Sequence, residues 1–294
     1  MIKDRKNIIG FIGLGLMGAG LVGCLKRNGY SIVGYDKDPE RINFVSDYLD
    51  FPADSPKAVC ERSTVIHLCV SSTKEVMNII FGENGIIEAS CEGKIIVDHS
   101  TTGVNETRDV AVRLRKKMAI GWVDAPVSGG PDKAAAGTLA MMVGGRNKDV
   151  QKVSKVLEIL SSSLTHFGPV GSGQVAKMVN QVLVLNNIVI IAEATALAEA
   201  GGIDVNKIPK ALRHGHAGSN LLMDILPRMA DRNFAPKGYA KQVLKDLEMI
   251  INLAKELRVP AFNSSHSAEL FRLLNVQGHE NLDSSAIFKL YDKT

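Results

Sequence analysis

Short apolar runs alternate with longer amphipathic stretches over the first half of the chain. The runs are rich in β-branched residues, and the stretches between them, such as residues 101–118 and 146–163, repeat apolar positions at helical spacing. Strand followed by helix, repeated, predicts a parallel sheet with helices on both faces. The predicted strands are NIIGFIG, SIVGYD, TVIHLCV, KIIVDHS, WVDAPV, LAMMVGG and LTHFG.

The pattern changes after Gly168, because no further strand-like run appears and helical periodicity continues to the end. The longest helix is predicted from about Gly173 to Gly201, which would make it about 40 Å long. The sequence therefore predicts an α/β fold. An N-terminal doubly wound domain would cover residues 1–168, and an all-helical domain for substrate binding and oligomerisation would cover residues 169–294.

Composition and charge restrict the kinds of ligand. The chain has 294 residues, 45% of them hydrophobic, and a formal net charge of +4 with Lys and Arg dispersed along it. Without a basic run interleaved with aromatic residues, nucleic-acid binding is not expected, and a small anionic substrate is favoured. The four cysteines show no C-x-x-C spacing, so we expect reduced thiols.

The segment 182–200 is the only one that resembles a membrane span. It is interrupted by polar residues, which predicts a helix buried in protein rather than in lipid. The N-terminal sequence runs directly into a glycine loop without the apolar region of a signal peptide. We therefore predict a cytoplasmic protein that does not bind membranes. The interrupting residues are Asn186, Asn187, Glu193 and Glu199.

A glycine-rich loop follows the first apolar run. Its spacing matches G-x-G-x-x-G, and the residues after it continue as a helix. Such glycines permit a tight turn and a close approach of pyrophosphate, while the helix N-terminus supplies free N–H donors, as in the Rossmann fold. Taken alone, the same glycines could serve only the turn. The predicted cofactor contacts are Gly13, Leu14, Gly15, Leu16, Met17 and Gly18.

An acidic residue, Asp36, ends the second predicted strand. A carboxylate at this distance from Gly18 can accept hydrogen bonds from the adenosine ribose hydroxyls, and it would repel a 2′-phosphate. The sequence therefore predicts a dinucleotide cofactor, with NAD favoured. NADP stays possible because the neighbouring Lys37 and Arg41 could reduce the repulsion.

Two hydroxyl-rich stretches lie at the ends of later strands, where doubly wound sheets bind their ligands. One presents Ser100, Thr101 and Thr102, and the other presents Ser128, Gly129 and Gly130. Hydroxyl groups and glycine-loop N–H groups make a neutral cradle suited to a carboxylate. Helix capping together with a turn would use the same residue types, so both interpretations stand at this point.

Lys177 interrupts the apolar face of the long helix. A buried ammonium is costly unless it is paired or used. Hydride transfer to a carbonyl develops negative charge on the oxygen, and a lysine can protonate it, with Asn180 and Gln181 on the same helical face as orienting groups. Alternatively, the lysine reaches solvent or pairs with Glu193. His99 is a rival acid, although strand alternation directs it away from Ser100.

Five motifs occur in the order found in the β-hydroxyacid dehydrogenase family, which includes 3-hydroxyisobutyrate dehydrogenase. They are GFIGLGLMG, DHSTT, DAPVSGG, GSGQVAKMVNQ and LKDLE, and the resemblance covers nearly the whole chain. Residues 214–248 and the late LDSSAI are most similar to the tartronate semialdehyde reductase (2-hydroxy-3-oxopropionate reductase) branch. L-threonate dehydrogenases are also similar.

The resemblance implies roles for individual residues. Many members carry asparagine where this chain has Gln181, and the preceding Asn180 is similar to the tartronate semialdehyde reductases, which argues against 3-hydroxyisobutyrate as the default substrate. A homodimer or homotetramer is also implied. Lys177 would be the catalytic lysine; Ser100, Ser128, Gly129 and Gly130 would surround the substrate carboxylate; and Thr101, Val70, Ser71 and Lys245 would contact the cofactor.

The sequence thus predicts an NAD(P)-dependent oxidoreductase for a short 3-hydroxy acid or its semialdehyde, best matched by the tartronate semialdehyde and D-glycerate pair. The alternatives are 3-hydroxyisobutyrate, L-threonate or succinic semialdehyde as substrate, or a non-catalytic NAD-binding oligomeric module. No metal is predicted, because His214 and His216 lack an accompanying ligand cluster.

Overall fold

The computed structural model describes residues 8–90 and 92–292, and it contains two compact units that divide after Lys177. The described residues of the first unit form a nine-stranded sheet with helices between the strands. The strands are β1 (Ile8–Ile12), β2 (Ser31–Tyr35), β3 (Phe51–Pro52), β4 (Val65–Leu68), β5 (Ile95–Asp98), β6 (Gly121–Asp124), β7 (Val127–Ser128), β8 (Leu139–Gly145) and β9 (Ser161–Gly168). The helices are α1 (Leu16–Arg27), α2 (Pro39–Phe44), α3 (Pro56–Arg62), α4 (Thr73–Phe81), α5 (Val104–Met118), α6 (Gly130–Ala136) and α7 (Asn147–Ile159).

The sheet has the order β3-β2-β1-β4-β5-β6-β8-β7, and β9 pairs with β8. Strands β1 to β6 are parallel, with Ile9 opposite both Ile32 and Val65, whereas β8 runs antiparallel to β6 and β7. The strand order reverses between β1 and β4. In doubly wound sheets ligands bind outside the carboxyl ends of the strands at this kind of switch point.

Two apolar cores cover the two faces of the sheet. Neighbouring residues of one strand enter different cores: Phe11 and Val123 belong to one, and Ile12 and Trp122 to the other. All four are almost completely buried, as expected where side chains alternate across a sheet that is covered on both faces. This explains why the strands are near-continuous apolar runs.

A long helix, α8 (Ser172–Ala200), begins in the first unit and continues into the second. Its bounds lie within one residue of those predicted. Among the described residues, α8 alone is long and apolar enough to cross a membrane by length and composition, and 44% of its most apolar window is buried inside the protein.

The second unit is mostly helical. Its core side chains include Leu226, Met229, Leu247, Phe271 and Phe288, which are all essentially inaccessible to solvent. The α/β fold with a mainly helical C-terminal region is therefore confirmed. Besides the rest of α8, its α-helices are α9 (Ile208–Leu212), α10 (Asn220–Ala230), α11 (Ala240–Leu257) and α12 (Phe262–Leu274), and short 3₁₀ helices cover Val205–Lys207 and Ser284–Tyr291.

The predicted strand WVDAPV is two strands, β6 and β7. Pro126 lies between them and has no N–H to donate, so the ladder of β6 cannot continue through it. Its carbonyl instead accepts a hydrogen bond from the backbone N of Met142, at the start of the antiparallel pairing of β7 with β8. The short strand β3 was not predicted, because a run of two residues is too short to show an alternation of apolar and polar positions.

The cysteines differ from one another. Cys24 and Cys69 are free thiols, as expected. Cys60 is disulfide-bonded, so the expectation of a reduced thiol is wrong at that position. Cys91 lies outside the described residues.

Candidate active site

The glycine loop is shaped by close packing at two of its three glycines. Gly13 has a φ of +95°, and a Cβ there would lie 2.3 Å from the carbonyl oxygen of Cys69. A Cβ on Gly18 would lie 1.9 Å from the carbonyl oxygen of Gly13. Around Gly15 the nearest group to such a Cβ is the guanidinium of Arg41, at 3.4 Å. The middle glycine therefore leaves space in front of the helix.

Helix α1 starts at Leu16 with its N-terminal N–H groups uncapped by any side chain. Free N–H donors and the positive end of the helix dipole bind phosphate groups. A side chain at position 15 would fill the space beside the helix N-terminus. Because glycine leaves that space open, the loop fits a dinucleotide pyrophosphate. Residues 13–18, predicted to contact the cofactor, thus lie at the junction of β1 and the first turn of α1.

Asp36 is 6% exposed and lies against the same loop. One carboxylate oxygen accepts a hydrogen bond from the backbone N of Leu14 at 2.7 Å, and the other accepts one from Asp38 at 3.0 Å. The guanidinium of Arg41 is 3.7 Å from the first oxygen. Asp36 therefore fixes the glycine loop to the end of β2, and ribose hydroxyls would bind to the remaining lone pairs of its carboxylate.

The ends of β4 and β5 are joined through Ser100. Its hydroxyl oxygen accepts a hydrogen bond from the backbone N of Val70 at 2.9 Å, and its own backbone N donates to Asp98 at 2.9 Å. Ser100 is 2% exposed, whereas Val70 and Thr101 are partly exposed and Ser71 is exposed. The predicted cofactor residues of these two loops are therefore adjacent.

Gln174 holds the loop that contains Thr101. Its side-chain Nε2 donates to the carbonyl of Ser100 at 2.8 Å, and its Oε1 accepts from the backbone N of Thr102 at 3.1 Å. The side chain is completely buried. The sequence did not reveal this residue, because nothing local marks a glutamine on a helix as the partner of a loop more than 70 residues away.

Two buried carboxyl groups lie side by side on neighbouring strands, since Asp98 and Asp124 are register partners in β5 and β6. Burial raises the pKa of Asp98 to about 7, although hydrogen bonds from Ser100 act in the opposite direction. Burial also raises the pKa of Asp124. Asp124 accepts from the backbone N of Gly171 at 2.8 Å and of Gln174 at 3.1 Å, and so caps the start of α8.

Lys177 points into the protein. It is 7% exposed, and its Nζ donates to the carbonyl of Val127 at 2.9 Å. The alternative in which this lysine reaches solvent is therefore wrong. Val127 directly precedes the predicted cradle, where Gly129 and Gly130 have φ values of +141° and +81°.

The cradle is open at its far end. Ser128 is partly exposed, and a Cβ on Gly130 would have no atom within 4 Å. The structure therefore places the lysine amine next to the loop predicted to bind the substrate carboxylate.

His99, the rival acid, is 3% exposed and bound within the core. Its Nδ1 lies 2.9 Å from the carbonyl oxygen of Ala125, and its Nε2 lies 2.8 Å from Nδ1 of His67. A carbonyl only accepts, so His99 is assigned a proton on Nδ1, and His67 donates to its Nε2. Burial lowers the pKa of His99 to about 4. His99 is therefore a neutral structural residue.

In the second unit, Asp246 links three of the predicted residues. It is 8% exposed and lies in α11. Its carboxylate accepts a hydrogen bond from Nε2 of Gln181 at 2.6 Å and forms an ion pair with Lys245 at 3.0 Å. Asn180 donates to Oε1 of Gln181 at 2.8 Å. Asp246 was not predicted, although it lies in the LKDLE motif.

In residues 8–90 and 92–292, no group of three or more His, Cys, Asp or Glu side chains could hold a metal ion. His214 and His216 are both exposed.

Comparison with known proteins agrees with this geometry. The family described as the NAD binding domain of 6-phosphogluconate dehydrogenase matches residues 8–168, and the NAD-binding family of NADP-dependent 3-hydroxyisobutyrate dehydrogenase matches residues 171–291. The 2-hydroxy-3-oxopropionate reductase of Escherichia coli K12 is 35% identical, with 95% of each chain covered. A probable mitochondrial 3-hydroxyisobutyrate dehydrogenase of Dictyostelium discoideum is 30% identical, covering 100% of this chain and 93% of its own.

A crystal structure of a Salmonella typhimurium 3-hydroxyisobutyrate dehydrogenase superposes with a TM-score of 0.88 at 26% identity, covering 96% of this chain and 99% of the other. The fold, the glycine loop and these matches define an NAD(P)-dependent oxidoreductase. The chain belongs to the β-hydroxyacid dehydrogenase family. The predicted family and cofactor class are thereby confirmed, and the roles of individual side chains stay predictions.

Proposed function

We propose that the chain transfers hydride between NAD(P) and a short 3-hydroxy acid or its semialdehyde, with tartronate semialdehyde and D-glycerate as the substrate pair. The observation that carries the proposal is the buried Lys177, bound to Val127 directly before the Ser128–Gly130 loop. The Asn180-Gln181 pair and the 35% identity to a 2-hydroxy-3-oxopropionate reductase support this substrate over 3-hydroxyisobutyrate.

Lys177 is the proton donor in the reductive direction. Bound NAD(P)H supplies the hydride, and negative charge then develops on the substrate oxygen. A lysine ammonium carries three N–H donors, one of which binds Val127 and fixes the position of the amine. Lys177 donates a proton to the forming alkoxide, and in the oxidative direction its neutral amine accepts the proton from the hydroxyl group.

The substrate carboxylate binds in the neutral loop that follows β7. Gly129 and Gly130 both have positive φ values, and in this proposal the N–H groups of the glycine turn bind the carboxylate, as backbone N–H groups in turns bind anions. The Ser128 hydroxyl adds a further donor. Because Asp36 is buried against the glycine loop and carries negative charge, NAD is the preferred cofactor, and NADP is accepted more weakly.

The protein acts as a homodimer or homotetramer in this proposal. Leu183, Ile190 and Leu197 of α8 recur at intervals of seven residues and are 58–74% exposed, together with Val179. An exposed apolar stripe of this period lies on one helical face and suits packing against a second copy of the chain. Light scattering after chromatography should show that Leu183→Glu lowers the oligomeric mass, while Val112→Glu, an exposed apolar position on α5, leaves it unchanged.

Substrate and activity are tested together by the oxidation of NADH and NADPH with tartronate, methylmalonate and succinic semialdehydes. D-glycerate, 3-hydroxyisobutyrate and L-threonate are tested in the reverse direction. We expect kcat/KM for tartronate semialdehyde to exceed the others by at least about tenfold, a typical effect of one misplaced group in a pocket. A preference for another acid would contradict the proposed substrate pair. Tight NADH binding without any turnover would favour a non-catalytic module.

A further inference from the structure

The amide of Gln174 pairs with the backbone on both sides of Thr101. It donates to the carbonyl of Ser100 at 2.8 Å and accepts from the N–H of Thr102 at 3.1 Å. A primary amide carries its donor and acceptor side by side, and it therefore matches the carbonyl and N–H that an extended segment presents two residues apart. Both polar atoms of a fully buried side chain are satisfied in this way.

The same residue belongs to the first turns of α8. Its backbone N donates to Asp124 at 3.1 Å, and Lys177 follows three residues later, one helical turn away. Lys177 is anchored on the carbonyl of Val127, which lies on the strand after Asp124. Gln174 is thus the side chain that fixes the Ser100–Thr102 loop to the helical turn that carries the lysine.

We propose that Gln174 is a positioning residue that holds the Ser100–Thr102 loop at a fixed distance from the Lys177 amine. The proposal rests on the proposed function, in which Lys177 transfers the proton, and on the predicted roles of Ser100 at the substrate carboxylate and of Thr101 at the cofactor. Gln174 acts only through Ser100, Thr102 and the helix. Its loss should therefore lower the rate of the chemical step and leave the glycine loop intact.

The test is Gln174→Met, which keeps the length of the side chain and removes the amide. We expect kcat for semialdehyde reduction to fall at least about tenfold, because small misplacements of reacting groups have large effects on rate. The dissociation constant of NADH should stay within about threefold of the wild-type value. The glycine loop that binds the cofactor is pre-formed and does not depend on the Gln174 amide. The primary isotope effect with deuterated NADH should rise as the chemical step becomes limiting.

Amide hydrogen exchange separates this proposal from the proposed function. In Gln174→Met, exchange should accelerate in residues 98–107 and remain unchanged in residues 8–20, whether or not the wild type reduces any semialdehyde. Thr195→Val is the matched control, since its buried hydroxyl also sits on α8 and binds only the carbonyl of Ile191; its kcat should equal that of the wild type.

The proposal would be overturned by full turnover in Gln174→Met or by unchanged exchange in residues 98–107. A fall in kcat that is matched by equal losses of NADH binding and stability would also overturn it, since that result indicates a purely structural role. A wild type that binds NADH but reduces no semialdehyde would refute the proposed function alone.

Discussion

The glycine loop and the Ser100–Thr102 loop follow parallel strands of the same sheet, yet they are held by opposite means. In the first, side chains are missing where atoms of Cys69 or Gly13 occupy the space. In the second, the backbone is held by buried polar side chains, Gln174 and Asp98. The first loop thus depends mainly on what is absent, with Asp36 as its side-chain anchor, and the second depends on buried polar side chains, of which Gln174 is distant in sequence.

Because of this difference, damage to the two loops should have different effects on cofactor binding and on turnover. A glycine loop next to an uncapped helix N-terminus offers backbone donors to a dinucleotide, so damage there should weaken cofactor binding and folding. The Ser100–Thr102 loop shares its anchoring helix with Lys177, so damage there should slow the reaction while the cofactor still binds. Each of the following changes tests one side of this comparison.

The largest effect is expected from Gly13→Ala. The residue has a φ of +95°, and the new Cβ would meet the backbone of Cys69 at 2.3 Å. Backbone strain and overpacking together should lower the free energy of unfolding by on the order of 3–5 kcal/mol, and NADH affinity should fall. Urea unfolding followed by circular dichroism and a fluorescence titration with NADH measure the two effects.

Gly29→Ala is the control for Gly13→Ala. Gly29 also has a positive φ, of +84°, but a Cβ there would have no atom within 4 Å. Strain alone should cost about 1–2 kcal/mol, without an effect on NADH binding. Equal losses in the two variants would show that crowding against Cys69 does not shape the loop.

The next effect concerns Lys177→Ala. Removing the proposed proton donor should lower kcat by at least about 100-fold, the lower part of the usual range for general acid catalysis. NADH binding should be largely retained, since the glycine loop is shaped by its own packing against Cys69 and by Asp36. Stopped-flow reduction and a cofactor titration give both values. Near-normal turnover would remove Lys177 from the mechanism.

The sequence was informative wherever a pattern is local. The strands, the length of α8 and the glycine loop follow from periodicity and from turn chemistry, and Lys177 was marked by a charge on an apolar face. Gln174 and Asp246 were not recognised, because a polar residue on a helix is ordinary until its partner is known. Their partners, Ser100 and Gln181, lie 74 and 65 residues away in the chain.

A smaller effect should appear in the pH dependence of stability. The folded-state pKa of Asp98 is raised to about 7, so the folded protein keeps a proton that the unfolded chain releases above about pH 4. The stabilisation from this proton is complete below pH 4 and is lost as the pH rises to about 7. Asp98→Asn removes the dependence.

The unfolding free energy of Asp98→Asn relative to the wild type should therefore rise by about 1 kcal/mol per pH unit between pH 4 and 7, and then level off. His67 and His99, whose pKa values are lowered by burial, act in the opposite direction but are present in both proteins. Urea titrations at several pH values measure the difference. A constant difference across this range would show that Asp98 is ionised in the folded protein.

The smallest effect is expected on cofactor binding at the glycine loop. Arg41 is half exposed, with its guanidinium 3.7 Å from Asp36 and next to the space at Gly15. A guanidinium binds phosphate well, so Arg41→Ala should weaken NADPH binding by up to about fivefold, the scale of an exposed ion pair, and change NADH binding less. Arg113→Ala, an exposed ion-paired arginine on α5, should change neither affinity. An equal loss for both cofactors would mean that Arg41 supports Asp36 and the loop rather than the 2′-phosphate.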